Sequence, residues 1–253
     1  MSPVFESFII LAVILAAAAL GVAAGVLLPE RQVDERMRSH VFASTSLVAT
    51  LTAILLGLMV STAQGERKVV SQELQDLSAT VIRLDRLLKT YGPDADSARV
   101  ALRRYVAHKR DDLFPATPGA SPNPGNLATV ALLDQVQDAV LTLQPKTAAQ
   151  EWLKSQALER AVQIASAPWA IAEPEHERQT WPVVIVMTFW LGILFAAYGM
   201  FMPRHVTAVA VLALCALAVT SAIFMVLEAL IPFSGVLHVP STPLNEAVEM
   251  VRR

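Results

Sequence analysis

The sequence predicts an all-α integral membrane protein, with four transmembrane helices and a helical extramembrane domain inserted between the second and the third. Its composition is 54% hydrophobic and only 17% charged, with a mean hydropathy of +0.49, whereas about a quarter of the residues in soluble domains are charged. Four apolar runs are each about 20 residues or longer, which is enough to cross a hydrocarbon core. They cover residues 7–28, 41–63, 181–202 and 206–231, and a charged middle region, residues 65–180, separates the second from the third.

The first run is predicted to stay in the protein as a helix. Its leader, Met1 to Glu6, contains no Lys or Arg, and the apolar stretch is longer than the h-region of a usual signal peptide. Ala17, Gly21 and Gly25 recur every four residues and therefore lie on one side of this helix. Small residues in that spacing allow helices to approach closely in a membrane, so the row predicts a helix-packing face.

The second run carries a row of polar or small residues along one side. Its members recur every three or four residues and lie opposite Val48, Leu51, Leu55 and Leu58. The row consists of Ser46, Thr50, Ala53, Gly57, Ser61 and Gln64. A water-filled pore and a protein-packed face would both produce it, since the hydroxyls can also bond to carbonyls of their own helix. If the row lines a pore, selectivity is weak or set elsewhere, because the row contains no charge.

The middle region begins with a regular heptad seam that continues out of the second run. Its apolar residues alternate spacings of four and three, which is typical of a helix covered by other helices. The seam consists of Val70, Leu74, Leu77, Val81, Leu84, Leu88 and Tyr91. Gly92 and Pro93 end this helix, and a second helix from about residue 96 to 113 would pack antiparallel to it. Either an intramolecular bundle or a coiled coil between subunits would cover the seam.

The remainder of the middle region is predicted to be helical around a linker. Residues 115–126 contain four Pro and two Gly, which predicts a flexible or extended connection. A third helix should cover about residues 127–143, and a fourth should begin at Thr147, which has capping-box spacing to Gln150.

The last two runs are joined by a short turn and followed by a C-terminal segment, residues 232–253. Trp181 and Pro182 have the character of an interface anchor at the start of the third run. Glu228 is the one carboxylate in the fourth run. It either reaches interfacial water from near the helix end or faces inward toward a cation or a helix N-terminus. Arginines are nearly balanced between the two sides, so the positive-inside rule gives no orientation.

Several functional classes find no support in the sequence. A net charge of −2 does not provide the basic face that nucleic acid would require. The single cysteine, Cys215, can form no intramolecular disulfide, and the five histidines are scattered without metal-ligand spacing. No nucleophile has a recognisable base partner, and no Gly-rich phosphate loop follows a strand. We therefore predict no enzyme activity, no metal site and no cofactor.

The order of several short motifs resembles a known family. In the first half these are LGLMVSTA at 56–63 with ERKVV at 66–70, IRLDRLL at 82–88 and LRRYV at 102–106. In the second half they are FWL at 189–191, YGMFMPRH at 198–205 and AIFMVLE at 222–228, leading to PFSG at 232–235. From about residue 40 to the C-terminus, this combination resembles the bacterial bestrophin-like domain family, a membrane family of unknown function.

The resemblance implies a fold and a class of activity. The family is distantly similar to bestrophins, which are pentameric anion channels with four spans, a helical cytoplasmic region and a pore built around the second span. It thereby implies that the row from Ser46 to Gln64 lines a pore in a bacterial inner membrane. It also implies that both termini and the middle domain are cytoplasmic. The heptad seam and the segment with Pro232, Phe233 and Gly235 would both form assembly contacts.

Two hypotheses follow for the function. The first is an ion channel formed by a homo-oligomer, a pentamer by analogy with the bestrophins, with the lipid bilayer and inorganic ions as its partners. The second is a membrane-anchored scaffold or sensor that conducts nothing and binds partners through its helical extramembrane domain.

Overall fold

A computed structural model describes residues 3–27, 35–116, 120–166, 175–202, 205–229, 233 and 238–252. Every regular element in these ranges is helical. The helices are α1 (Pro3–Leu27), α2 (Glu35–Tyr91), α3 (Asp96–Leu113), α4 (Leu127–Leu141), α5 (Ala148–Ala165), α6 (Glu175–Phe201), α7 (Val206–Ala229) and α8 (Thr242–Arg252). A short 3-10 turn, Pro93–Ala95, connects α2 to α3.

Four of the described helices are long and apolar enough to cross a membrane. The qualifying segments are Val4–Leu27, Ser39–Tyr91, Pro182–Phe201 and Val206–Ala229. The predicted second run is only part of α2, which continues without a break through the heptad seam over 57 residues. Residues 35–91 contain no proline, and the single glycines at 57 and 65 weaken a helix without ending it.

The chain divides into two compact units. The first contains Met1–Gly65 and His176–Leu230, and the second contains Glu66–Glu175 and Ile231–Arg253. In the first unit, α1 packs against α6 and α7. Its core is built from α1, α6 and α7, with Val48, Ala49, Leu56 and Met59 of α2 packed against it.

The second unit is a helical bundle around the heptad seam. All seam residues from Leu74 to Tyr91 are buried, and Val70 is half-buried against the same core. Helices α3, α4, α5 and α8 contribute Leu102, Val136, Ala161 and Leu244 among other buried residues. The seam is therefore covered within the chain, as the intramolecular interpretation expects.

Side-chain hydrogen bonds define the helix ends of the second unit. The Asn126 side chain accepts a bond from Ala128 N at the start of α4. At the start of α5, Thr147 Oγ1 accepts from Gln150 N at 3.2 Å, and Gln150 Oε1 accepts from Lys146 N at 2.8 Å. The described part of the Pro-rich linker is attached to α3, since Asn123 N donates to the Asp112 carbonyl at 2.9 Å.

The C-terminal segment contains a helix that we did not predict. Leu244, Ala247, Val248 and Val251 are buried on one side of α8, with the spacing of an amphipathic helix. The helix packs on α3, where Arg103 Nε donates to the Val251 carbonyl at 2.6 Å. That contact joins residues 148 positions apart, which a local pattern does not reveal.

Candidate pore-lining surface and intramembrane carboxylate

The polar row of α2 lies outside the core of its own chain. All six of its residues, Ser46, Thr50, Ala53, Gly57, Ser61 and Gln64, are exposed. The buried side of the same segment is formed by Thr45, Thr52 and Ala63. A methyl group added at Gly57 would meet no atom within 4 Å. The chain thus covers one side of α2, whereas the polar row remains exposed.

The hydroxyls of this segment donate to carbonyls one turn earlier in their own helix. Ser46 Oγ donates to the Phe42 carbonyl at 2.7 Å, and Thr50 Oγ1 donates to the Ser46 carbonyl at 2.9 Å. Because each hydroxyl has only one proton, these groups present oxygen lone pairs rather than donors to their surroundings. The row is therefore polar, uncharged and able to accept hydrogen bonds from water.

Two further hydroxyls on the buried side were missed by the sequence interpretation. Thr45 Oγ1 and Thr52 Oγ1 donate to the Val41 and Val48 carbonyls, each at 2.8 Å. Their position one residue before Ser46 and two after Thr50 places them on a different side of the helix. This offset in the sequence could have distinguished the buried hydroxyls from the exposed ones.

The apolar residues that the sequence analysis places opposite the row are not all buried. Val48 packs on the core and Leu55 is half-buried, but Leu51 and Leu58 are exposed. With Leu47 and Ile54, the last two form an exposed apolar row next to the polar one. The exposed side of α2 is therefore divided lengthwise into a polar half and an apolar half.

The small residues of α1 lie against α6. A methyl group added at Gly21 would overlap the carbonyl of Ala196, and one added at Gly25 would overlap the carbonyl of Met200. Gly199 of α6 is equally close to the carbonyl of Ala18. Ala17 Cβ would lie 3.7 Å from a methyl group added at Gly192. The two backbones approach so closely that only glycine fits at three of these positions.

Glu228 is enclosed by protein near the end of α7. Its exposure is 2%, and its neighbours Val226, Leu227 and Ala229 are also buried. A cation or helix N-terminus facing this carboxylate, as the inward-facing interpretation requires, stays a prediction. Thr220, two turns earlier, is a further buried polar residue, and its hydroxyl has no hydrogen-bond partner.

The family segment after α7 is represented by Phe233, because Pro232 and Gly235 lie outside the described residues. The Phe233 ring meets the Phe114 ring edge to face, with a centroid distance of 5.9 Å. Both rings pack at the margin of the second unit's core. Across the described ranges, no cluster of three or more His, Cys, Asp or Glu side chains could hold a metal ion.

Comparisons with known proteins agree with this architecture. The sequence profile of the Bestrophin-like domain matches residues 12–244. A solved structure, that of a mutant bacterial bestrophin homolog from Klebsiella pneumoniae, has a similar fold with a TM-score of 0.62. The match covers 96% of this chain and 99% of that one at 14% sequence identity, so it concerns the fold. A comparison with curated proteins finds no match. Because the profile spans most of the chain, the resemblance of the motifs is confirmed, and the protein belongs to the bestrophin-like domain family.

Proposed function

We propose that the protein is a subunit of an oligomeric ion channel in a bacterial inner membrane, in which α2 lines the pore. The observation that carries this proposal is the exposure of the whole polar row while the opposite side of α2 packs on its own chain. Family membership and the fold match support a channel-like role. In a homo-oligomer, for which we propose a pentamer, copies of α2 would surround a central axis and bring the row to water.

The chemistry of the row supports a wet wall rather than a binding site. Its hydroxyls already donate to their own helix, so they would offer water acceptors without holding an ion tightly. Ala53 has a small side chain and Gly57 has none, so the middle of the row leaves room for hydrated ions. The proposed topology places both termini and the helical domain, inserted between the second and third spans, in the cytoplasm.

The test is ion flux through the purified, reconstituted full chain. Ser46→Leu combined with Thr50→Leu should abolish single-channel current and liposome flux, because two apolar rings would dewet the pore. The matched control is Thr45→Val with Thr52→Val, which removes two hydroxyls from the buried side and should leave flux intact. Native mass spectrometry of the same sample counts the subunits.

The two results have clear consequences. Unaltered flux in the Ser46→Leu, Thr50→Leu variant would reject this assignment of the pore wall. A wild-type protein that is silent and monomeric or dimeric would favour the alternative, a membrane-anchored scaffold acting through its helical domain, residues 65–180.

A further inference from the structure

The last turns of α2 carry three exposed bases. Arg83, Arg86 and Lys89 recur every three residues on the outer side of α2, and all three are exposed. We call them the basic row. Asp85 lies between them in sequence but is buried, and its Oδ1 is bound by Arg99 Nε at 2.9 Å. Among the described residues, no carboxylate forms an ion pair with the basic row.

The hairpin of α4 and α5 carries exposed acidic residues. Asp134, Asp138 and Glu151 are exposed there, together with the large apolar side chains of Leu141 and Trp152. We call these five residues the acidic face. Trp152 is 61% exposed, which leaves an indole ring in water on the surface of the second unit. A ring of this size is typical of an interface anchor.

The two lysines of this hairpin contact groups other than the acidic face. Lys146 Nζ is 2.7 Å from Asp94 Oδ2, outside the hairpin. Lys154 Nζ donates to the carbonyls of Leu141 and Leu143 at 2.7 and 2.8 Å, and so caps the end of α4. The carboxylates of the acidic face are therefore available to a cation from another molecule.

The two surfaces lie at the same end of the second unit. Gln150 Nε2 donates to the Tyr91 carbonyl at 3.1 Å, and Lys146 contacts Asp94 just beyond α2. The last turns of α2, which carry the basic row, are thus level with the turn between α4 and α5. In a ring of identical subunits, one surface of each copy contacts a different surface of the next copy. The two surfaces must therefore lie at the same level along the ring axis.

We infer that the basic row of one copy binds the acidic face of the next copy around the ring. This inference rests on the proposed oligomer and adds the contact that closes it. Opposite charges set the register and reject other pairings. An Arg guanidinium can also stack on the exposed Trp152 indole of the neighbour, since planar Arg pairs well with aromatic faces. The contact desolvates the apolar surface of Leu141 and Trp152 as it forms.

Charge reversal in the full chain tests the pairing. Arg83→Glu with Arg86→Glu, or Asp138→Arg with Glu151→Arg, should raise the concentration at which the ring dissociates in detergent by about tenfold or more. Combining all four substitutions should restore assembly to near the wild-type level. Arg104→Glu is the matched control, because Arg104 is an exposed base of the same unit outside the basic row. Native mass spectrometry across a dilution series gives the readout.

A second measurement does not depend on stability. In a Cys215→Ala background, Arg86→Cys with Glu151→Cys in one chain should give a crosslinked ladder up to the full ring with a short bismaleimide. Mixing the two single-cysteine chains should stop the ladder at dimers. Crosslinking of Arg86→Cys chains to one another, or reversals that leave the ring unchanged or are not rescued in combination, would overturn the inference.

Flux recorded on the same samples separates this inference from the proposed function. If charge reversal weakens assembly and the four-fold combination restores it, but the ring conducts no ions, the proposed interface stands and the proposed channel is rejected. If the ring conducts ions but charge reversal does not change its assembly, the proposed channel stands and the proposed interface is rejected. Binding of a foreign acidic peptide to the basic row with no change in assembly would also count against a second copy as its partner.

Discussion

The two units of the chain are packed by opposite means. In the first unit the close contacts are between backbones at Gly21, Gly25 and Gly199, while large side chains such as Phe8 and Leu20 are exposed. In the second unit the core is built from fully buried apolar side chains, including Leu84 and Leu102. Lipid already solvates apolar side chains, so helices in it associate through close approach, whereas water drives such side chains into a core. This difference is the one expected if, as we propose, the first unit lies in lipid and the second in water.

Polar groups follow the same division. In the second unit they bond across elements, as in the Asp85–Arg99 pair and the Asp112 carboxylate, which accepts from Asn126 Nδ2 at 2.7 Å and from the Thr129 hydroxyl. In the first unit the bonds described for hydroxyls of α2 and α7, such as Ser46 and Ser221, stay within one helix. The described polar contacts between elements therefore help to define the geometry of the second unit.

The largest difference between the units should come from one substitution made in each. Leu102→Ala removes a fully buried side chain from the second unit and should destabilise it by about 2–5 kcal/mol, because a cavity remains. Leu20→Ala removes a side chain that is 70% exposed and should change stability by less than about 0.5 kcal/mol. Denaturant unfolding of the full chain in detergent, followed by circular dichroism, compares them. Equal losses of stability in the two variants would contradict the proposal that the first unit lies in lipid and the second in water.

A buried lysine should make only the second unit dependent on alkaline pH. Lys109 is buried, with Nζ donating to the Pro124 carbonyl at 2.6 Å. Burial lowers the pKa of Lys109 to about 8, although the nearby Asp112 acts in the opposite direction. The folded state then binds fewer protons than the unfolded state between pH 8 and the ordinary lysine pKa, so stability should rise with pH across that interval, by about 3 kcal/mol at most.

Lys109→Met should remove this slope, and unfolding curves of both proteins between pH 8 and pH 10 provide the measurement. Burial also raises the pKa of Tyr105, which would lower stability above pH 10, so the comparison ends there. Parallel curves for wild type and Lys109→Met would contradict the role of this lysine.

A smaller effect, confined to the first unit, should follow from adding one methyl group to a glycine. Gly21→Ala places Cβ against the Ala196 carbonyl, and overpacking of this kind costs about 1–3 kcal/mol. Gly57→Ala is the control, since its added methyl group meets no atom. Thermal unfolding of the two variants should separate them. A Gly21→Ala protein as stable as Gly57→Ala would show that α1 and α6 do not approach this closely.

The sequence predicted local structure better than cross-chain contacts. The heptad seam, the helix break at Gly92 and the cap at Thr147 depend on neighbours within a few residues, and their spacing carries the information. The seam was also predicted to continue out of the second run, and α2 does pass through Gly65 without a break. The amphipathic spacing of Leu244 to Val251 would have revealed α8, but its position on α3 depends on Arg103, far away in sequence. For the polar row, spacing identified the residues, whereas exposure required the packing of the other side of α2.

The smallest effect concerns a buried hydroxyl without a partner in each unit. Tyr91 Oη and Thr220 Oγ1 are both enclosed and form no hydrogen bond. Tyr91→Phe should stabilise the protein by about 1 kcal/mol, because the unfolded second unit hydrates that hydroxyl and folding strips the water away. Thr220→Val should change stability by less than about 0.5 kcal/mol, since α7 stays in lipid whether or not it packs, so its hydroxyl gains no water on unfolding.

Denaturant midpoints of Tyr91→Phe and Thr220→Val, measured against wild type, test this difference. Tyr91→Leu serves as the steric control, because it replaces the hydroxyl and the whole ring by a smaller aliphatic side chain and should destabilise the second unit. Equal gains from Tyr91→Phe and Thr220→Val would mean that both hydroxyls are hydrated in the unfolded state. In that case α7 would leave the lipid on unfolding, and the contrast between the two units would come from their folded packing alone.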